Sequence, residues 1–147
     1  MLDKSYINHE MPPFEVQLEK GQMEIFAKAL GESGSIYSDE ATAKDNGYRS
    51  LVAMPTYVIR LGTRDDLIYN MFKMLKIDLS RLLHGEQEFC FEQVACAGDV
   101  LIGKKKIVDI FEKKNGALSF LVTMIEYTDQ QGQLVCSDKC TFVIRNS

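Results

Sequence analysis

Two spacings of apolar residues divide the chain into a helical first half and an extended second half. Between Gln17 and Leu30 the apolar side chains Met23, Phe26 and Leu30 recur at helical intervals, and Gly31 follows where a helix C-cap is expected. The segment is therefore predicted to be an amphipathic helix. From about residue 83 onward the pattern changes to long extended segments separated by turn residues.

Further helical segments are predicted before that change. A short helix is expected over Asp39 to Asn46, with Asp39 or Ser38 as its N-cap and Gly47 at its end. Another helix should begin at Pro55, since proline is well placed in a first helical turn. The stretch "RDDLIYNMFKMLKID" repeats four apolar residues at helical spacing, which predicts a core-facing helix: Leu67, Met71, Met74 and Leu75.

Four strands are predicted in the second half, at roughly 84–94, 100–114, 117–129 and 133–145. The turns between them, "CAGD", "KKNGA" and "DQQGQ", contain glycine or asparagine at positions that can adopt positive φ. Alternation of apolar and small polar residues along 118–124 is typical of a half-covered antiparallel strand. The predicted fold class is thus α+β, a helical N-terminal half packed on an antiparallel sheet, and 147 residues suggest one domain over 1–147.

Composition excludes several classes of function. A net charge of −4 and a pI near 5.2 argue against a protein that binds nucleic acid or an anionic membrane. The sequence contains neither a signal-peptide pattern nor eighteen uncharged apolar residues in a row, so we expect a soluble, cytoplasmic protein. The four cysteines are Cys90, Cys96, Cys136 and Cys140, and they form no CxxC pair and have no histidine nearby. They are therefore predicted to be buried reduced thiols and not metal ligands, and no cofactor is expected.

Several motifs, in order, carry a resemblance to a known family. "LGESGSIYSDEATAKDNGYRSLVAMPTY" resembles the N-terminal part of MaoC-like dehydratases and R-specific enoyl hydratases. "HGEQEF", "AGDVL", "VDIFEKKNGALSF" and the later "QGQLV" resemble, more narrowly, the dehydratase N-terminal domain related to type I fatty-acid synthase. The resemblance covers roughly Pro12 to Arg145, and it implies a hot-dog fold in which an antiparallel sheet wraps a central helix.

The resemblance also implies a ligand and a chemistry. The expected ligand is a 3-hydroxyacyl or 2-enoyl thioester of coenzyme A or acyl carrier protein, and the reaction removes or adds water across Cα–Cβ. In catalytic relatives an Asp and a His activate the water, while backbone N–H groups at a helix start polarise the thioester carbonyl. In this chain the residues predicted to contact the substrate are Ala53, Met54, Thr56, Tyr57 and Met71.

The residues of this chain depart from the family pattern at the reacting groups. Glu32 stands where the family has Asp, and Tyr37 stands where it has His, and a phenol is a poor base at neutral pH. Gly34-Ser35 replaces the rigid Asn-Pro between them. At the helix start Pro55 stands where a glycine N–H would face the thioester oxygen, and proline has no N–H.

Other candidate residues have structural alternatives. His84 and Glu86 could form a substituted acid–base pair, because residues two apart on a strand point the same way, or they could serve only in a hydrogen bond or an interface. Lys104, Lys105 and Lys106, with the later Lys113-Lys114, could receive coenzyme A phosphates or an acidic carrier protein, or could simply be solvated. The apolar stretch around Met71 could line an acyl tunnel or be ordinary core.

The resemblance leads to one hypothesis and leaves alternatives open. Relatives often occur as two hot-dog domains in series, with the acid–base pair in the second, whereas this chain has the length of one. The hypothesis is a subunit of a heterodimeric (R)-3-hydroxyacyl-thioester dehydratase, in which a separate MaoC-like chain is catalytic. The alternatives are a homodimeric hydratase with a rearranged pair such as Glu32 and His84, a hot-dog thioesterase, and a non-enzymatic acyl-thioester-binding module.

Overall fold

A five-stranded antiparallel sheet forms the frame of the protein in a computed structural model, which describes residues 2–63 and 65–146. The spatial order of the strands is β1-β3-β4-β5-β2. Hydrophobic residues of β3, β4 and β5 alternate with polar ones, so that one face of the sheet is buried and the other is largely open. The strand bounds are β1 Phe14–Gln17, β2 Leu82–Phe91, β3 Val100–Lys113, β4 Leu118–Thr128 and β5 Leu134–Arg145.

Four α-helices occupy the first half of the chain: α1 Lys20–Ala29, α2 Glu40–Asp45, α3 Val58–Gly62 and α4 Asp65–Met74. Short 3-10 turns lie at Lys4–Tyr6, Pro55–Tyr57 and Leu79–Arg81. The predicted caps are confirmed: Gly31 follows α1 with φ 84°, and the Asp39 carboxylate accepts the Ala41 N–H at 3.1 Å. Pro55 opens the turn that leads into α3, as predicted.

The helices from residue 55 to residue 74 lie against the buried face of the sheet in two clusters. Under α3, Tyr57, Val58 and Leu61 pack on Ile125 and other residues of β3 to β5. Under α4, the side chains of Met71, Phe72 and Leu75 pack on the opposite end of the same strands. A sheet wrapped around a central helical segment is the hot-dog arrangement that the resemblance implied.

The structure corrects three of the predicted elements. The helix expected from Gln17 begins only at Lys20, because Gln17 closes β1 and pairs with Val100 of β3. β1 itself is absent from the predicted strands. The central helix is not one long helix: α3 ends at Gly62 and α4 begins at Asp65.

The two edges of the sheet differ. Along β3 the N-terminal residues cover the edge, because β1 pairs with its first half and the chain around Asn8 to Met11 bonds to its middle, with the Asn8 N–H donating to the Ile107 carbonyl at 2.8 Å. At the other end of the sheet β2 pairs only with β5 among the described residues, and most of its ten residues are exposed. The protein therefore presents one long open strand edge.

Cys96, Cys136 and Cys140 are buried free thiols as predicted, but Cys90 is exposed on β2. Among the described residues, no helix has the length and apolar character needed to cross a membrane.

Candidate functional site

The loop between α1 and α2, residues 31–39, contains Glu32 and Tyr37, where the sequence resemblance implies an acid–base pair. Its path is set by its own backbone: Gly31 and Gly34 both have positive φ, and the Ser35 carbonyl accepts the Asp39 N–H at 2.9 Å. The Ser35 N–H donates to the Ser38 hydroxyl at 3.2 Å. Glu32 and Tyr37 are both half-buried in this loop.

Backbone hydrogen bonds hold the loop beside the start of the central helical segment. The Val52 N–H donates to the Ile36 carbonyl at 3.0 Å, so Tyr37 and Ala53 belong to adjacent stretches of chain. The Ala53 N–H is itself used, since it donates to the Ala95 carbonyl at 2.8 Å. With that amide occupied and Pro55 lacking one, two backbone positions at the helix start do not offer a donor to a thioester oxygen.

The remaining residues predicted to contact substrate lie in different surroundings. Thr56 is exposed, and Met54 is half-buried against the core. Tyr57 is buried, its ring meets Phe26 edge-on at 5.3 Å, and burial raises the pKa of its hydroxyl. Met71 belongs to α4 and is wholly buried between that helix and the sheet. The helix start thus brings Ala53 to Tyr57 together, while Met71 belongs to the second core cluster.

Two motifs of the family resemblance meet in an ion pair. Arg49, from the "GYR" segment, contacts the carboxylate of Asp99, from "AGD". The same carboxylate accepts the Cys96 N–H at 2.8 Å, which fixes the turn before β3. These residues brace the segment that leads into the helix start, a structural role that does not require chemistry.

The geometric premise of a His84–Glu86 acid–base pair is wrong. A β-bulge lies between them: His84 pairs with Phe142 and Glu86 with Thr141, so Gly85 is the extra residue. The bulge turns His84 towards the helix-covered face of the sheet, where its ring meets Phe142 edge-on at 5.9 Å. Glu86 instead lines the outer face, and the two side chains are on opposite sides.

The three consecutive lysines do not form one basic patch. Lys104 is exposed and Lys106 half-buried on the outer face, but Lys105 points into the core and is only 3% exposed. A site for phosphates or a carrier protein built from all three is therefore ruled out, because alternate residues of a strand face opposite ways. Lys113 lies over the stacked rings of Phe111 and Phe120, 5.0 Å from the centroid of the second.

Sequence reasoning missed a buried polar group beneath α3. Asp138 of β5 is 5% exposed and accepts a hydrogen bond from the Gln87 amide of β2. Lys105 and the hydroxyl of Tyr127 lie near it, both buried. This group, Gln87, Lys105, Tyr127 and Asp138, is called the polar cluster below.

Burial perturbs the ionisation of these groups. Loss of solvation raises the pKa of Asp138, although the Gln87 hydrogen bond and the charge of Lys105 both act to lower it. Desolvation lowers the pKa of Lys105, and the negative charge of Asp138 opposes that shift. Burial also raises the pKa of the adjacent Cys140 thiol to about 12, so this cysteine remains protonated at neutral pH.

Strand parity is the signal that would have found the polar cluster. Asp138 lies two residues from Cys136 and from Cys140, which share the buried face of β5. Lys105 likewise lies two residues from Ile107, which is fully buried on β3. The same alternation that predicted buried cysteines therefore also predicts two buried charges.

Comparisons with known proteins place the chain in a family. The family described as "FAS1-like, dehydratase domain region" matches residues 5–138. A "UPF0336 protein" of Saccharopolyspora erythraea is 34% identical over 149 residues, covering 99% of this chain and 93% of that protein.

Solved structures share the fold at lower identity. A crystal structure of a C-terminally truncated HadBC (3R-hydroxyacyl-ACP dehydratase) complex from Mycobacterium tuberculosis contains a chain with TM-score 0.82 and 24% identity, covering 94% of this chain and 96% of that one. A chain of the ChsH1-ChsH2 complex from the same organism has TM-score 0.72 and 16% identity, covering 93% and 89%. The hot-dog fold, the family match and the relative agree, and the chain belongs to the FAS1-like dehydratase-region family.

Proposed function

We propose that this chain is the acyl-thioester-binding subunit of an (R)-3-hydroxyacyl-thioester dehydratase, and that a separate MaoC-like chain supplies the acid–base pair. The proposal is supported by the loop at 31–39, which its own hydrogen bonds hold beside the helix start, while Glu32 and Tyr37 stand where the resemblance implies the family's Asp and His. The carrier of the acyl group is coenzyme A or acyl carrier protein.

The chemistry explains why those two residues matter. Dehydration removes a proton from Cα and protonates the leaving hydroxyl on Cβ, so a positioned base and acid are both required. Glu32 keeps a carboxylate but adds a methylene, which displaces it by about 1 Å, and displacements of that size lower rates strongly. Tyr37 offers a phenol in place of an imidazole, and a phenol does not accept a proton readily at neutral pH.

The helix start supports the same division of labour. A thioester oxygen that gains charge in the reaction needs N–H donors directed at it. Here the Ala53 N–H is bonded to the Ala95 carbonyl and Pro55 has no N–H. Binding of a thioester near this segment remains compatible with the structure, whereas stabilisation of its transition state there is weakened.

The open edge of β2 is where a partner chain would pair. An exposed ten-residue strand with free backbone groups is a template for another strand, and the opposite edge is already covered by β1 and the N-terminal residues. With one open edge, pairing stops at two chains and does not continue into a fibre. The HadBC and ChsH1-ChsH2 structures are described as complexes, which supports a partner subunit for this fold.

The proposal is tested by titrating the purified chain with butyryl-coenzyme A in a calorimeter. Butyryl-coenzyme A is saturated, so it reports binding without reaction, and free coenzyme A is the matched control for contacts of the carrier alone. We expect saturable binding of one thioester per chain that exceeds the binding of free coenzyme A. Absence of binding by folded protein would contradict the proposal, and release of free thiol from butyryl-coenzyme A would indicate a thioesterase instead.

A further inference from the structure

A small cavity lies between the central helical segment and the sheet, next to the polar cluster. Its volume is about 70 Å³, and its helix side is formed by α3 and the beginning of α4. Its polar wall comes from four strands, β2 to β5, and consists of His84, Gln87, Lys105, Thr123, Asp138 and Cys140. On this measure one water needs about 10–15 Å³, so the cavity has room for a small polar group.

The polar groups around this cavity are not satisfied by one another. Within the described residues, the Lys105 ammonium makes neither a hydrogen bond nor an ion pair and acts on Asp138 only through space. The hydroxyl of Tyr127, next to Gly62 of the cavity wall, is buried with no hydrogen-bond partner in the part of the chain that the structure describes. Buried donors and acceptors are almost always paired in folded proteins, so these atoms call for a polar group between them.

Gly62 leaves the polar atoms uncovered on the helix side. A Cβ at this position would lie 3.0 Å from the Tyr127 hydroxyl oxygen and 3.4 Å from Asp138 Oδ2. It would also meet Ile125 Cδ1 at 2.5 Å. The glycine therefore lets the backbone of α3 approach the sheet closely without a side chain that would cover the hydroxyl and the carboxylate.

The cavity reaches the open edge of the sheet. His84 is exposed and Gln87 is half-buried, and both belong to β2, the strand proposed to pair with the partner chain. The bulge at Gly85 is what directs both side chains to this face. The acyl chain of a thioester bound to this subunit could enter beside these two residues.

We propose that this cavity binds a hydroxyl group at the far end of the substrate's acyl chain. The inference rests on the proposed function, because it takes the ligand to be an acyl thioester. A hydroxyl donates one hydrogen bond and accepts two, which matches the carboxylate of Asp138 as an acceptor and the ammonium of Lys105 as a donor, both on the cavity wall. The cluster already contains one positive and one negative group, so an uncharged polar group fits better than an ion.

A methyl terminus of the same size is the wrong ligand for this cavity. It would displace any water, leave the Lys105 ammonium without a hydrogen-bond acceptor, and leave the Asp138 carboxylate with only its hydrogen bond from Gln87. Sites built to hydrogen-bond a ligand hydroxyl reject the analogue that lacks it far more strongly than apolar pockets reject an extra methylene. The polar cluster therefore selects for a hydroxylated acyl terminus and against a plain alkyl one.

The test uses matched pairs of ligands on the purified chain. Each pair consists of an ω-hydroxyacyl-coenzyme A and the plain acyl-coenzyme A that replaces its hydroxyl by a methyl group, over a series of chain lengths from butyryl to decanoyl. Calorimetry should show the hydroxylated member binding about tenfold more tightly at one or two chain lengths. The Lys105→Met/Asp138→Asn double variant should abolish that preference.

Controls make the outcomes distinct. Lys139→Met introduces the same change beside Asp138 but on the outer face, and it should keep the preference. If the double variant does not fold, Asp138→Asn alone serves, since its amide keeps the shape of the carboxyl group. Equal binding of both ligands, or a preference that survives in the double variant, would overturn the subsite while leaving the proposed function intact; binding of neither ligand would remove both.

Discussion

Neutralising both buried charges of the polar cluster should stabilise the protein, whereas neutralising one should destabilise it. Lys105 and Asp138 are 3% and 5% exposed, so each has lost most of its hydration, a penalty of several kcal/mol per ion. Their attraction is weaker than that of a contact pair, because no ion pair within 4.0 Å joins these two described residues. Two unit charges 4 Å apart attract by about 4 kcal/mol at an effective dielectric constant of 20, so about 4 kcal/mol is an upper bound here.

The magnitudes follow from that comparison. Lys105→Met alone leaves the Asp138 carboxylate buried without a countercharge, and Asp138→Asn alone leaves the Lys105 ammonium buried without one. Each single variant should therefore lower the free energy of unfolding by about 1–3 kcal/mol. The double variant removes both desolvation penalties and should raise it by about 1–4 kcal/mol. The coupling energy between the two sites should remain below about 4 kcal/mol.

Urea denaturation measures this double-mutant cycle directly. The four proteins compared are the wild type, the two single variants and the double variant. The midpoint should shift with an unchanged m-value, and each kcal/mol should move Tm by about 2–4 °C for a chain of this size. Lys139→Met, whose exposed ion pair with Glu88 spans 3.4 Å, should remain within about 0.5 kcal/mol of wild type. A double variant whose loss equals the sum of the single losses would refute the reasoning.

Three further predictions follow from other residues. Burial raises the pKa of Asp138, so the folded state binds the carboxyl proton more tightly than the unfolded state does, and stability should fall as pH rises from the ordinary carboxyl range to the raised pKa. Burial lowers the pKa of Lys105, so stability should rise again at alkaline pH as the folded protein loses the Lys105 proton. Urea midpoints measured against pH should show both changes in wild type and neither in the double variant. Asp39→Ala removes the N-cap of α2 and should cost about 1 kcal/mol in urea denaturation, with Asp39→Ser restoring most of it, and equal losses in the two variants would contradict the capping role. Gly103→Ala places a Cβ within 2.8 Å of the Phe14 ring and should destabilise the protein by about 1–3 kcal/mol. Adding Phe14→Leu to that variant should partly restore the stability, and an unchanged Tm of Gly103→Ala in thermal unfolding would contradict the close contact.

The elements with strong local signals were predictable from the sequence. The caps at Gly31 and Asp39 and the turns around Gly98, Gly116 and Gly132 depend on a few neighbouring residues, and the structure places positive φ at all four of these glycines. The strand β1 was not predictable in the same way. Its four residues form a strand because β3 offers an edge to pair with, and a segment that short has no periodicity of its own to reveal it.

The candidate site was harder to predict, because the face to which a strand residue points depends on an unbroken alternation of side chains along the strand. The bulge at Gly85 shifts the alternation by one residue and places His84 and Glu86 on opposite faces of the sheet. The pattern of neighbouring residues contains no signal of this bulge. Lys105 is the opposite case. Its position between two other lysines suggested a solvated patch, but strand parity with Ile107 placed it in the core.

The two buried charges break the rule that cores are apolar, and such departures concentrate where a protein has a function. Lys105, Asp138 and Gly62 line the same cavity, and the absence of a side chain at Gly62 leaves the Asp138 carboxylate uncovered on the helix side. This is the physical reason to look for a ligand there as well as at the loop that carries Glu32 and Tyr37.

The central claim is that this chain binds an acyl thioester without carrying the acid–base pair that reacts with it. The most direct test follows the loss of enoyl-thioester absorbance from crotonyl-coenzyme A, with the chain purified alone and its folding verified by circular dichroism. Our account predicts no turnover above the uncatalysed rate in a preparation that binds butyryl-coenzyme A. Hydration by the isolated chain at the rates of ordinary enzymes, about 1 s⁻¹ or more, would contradict it.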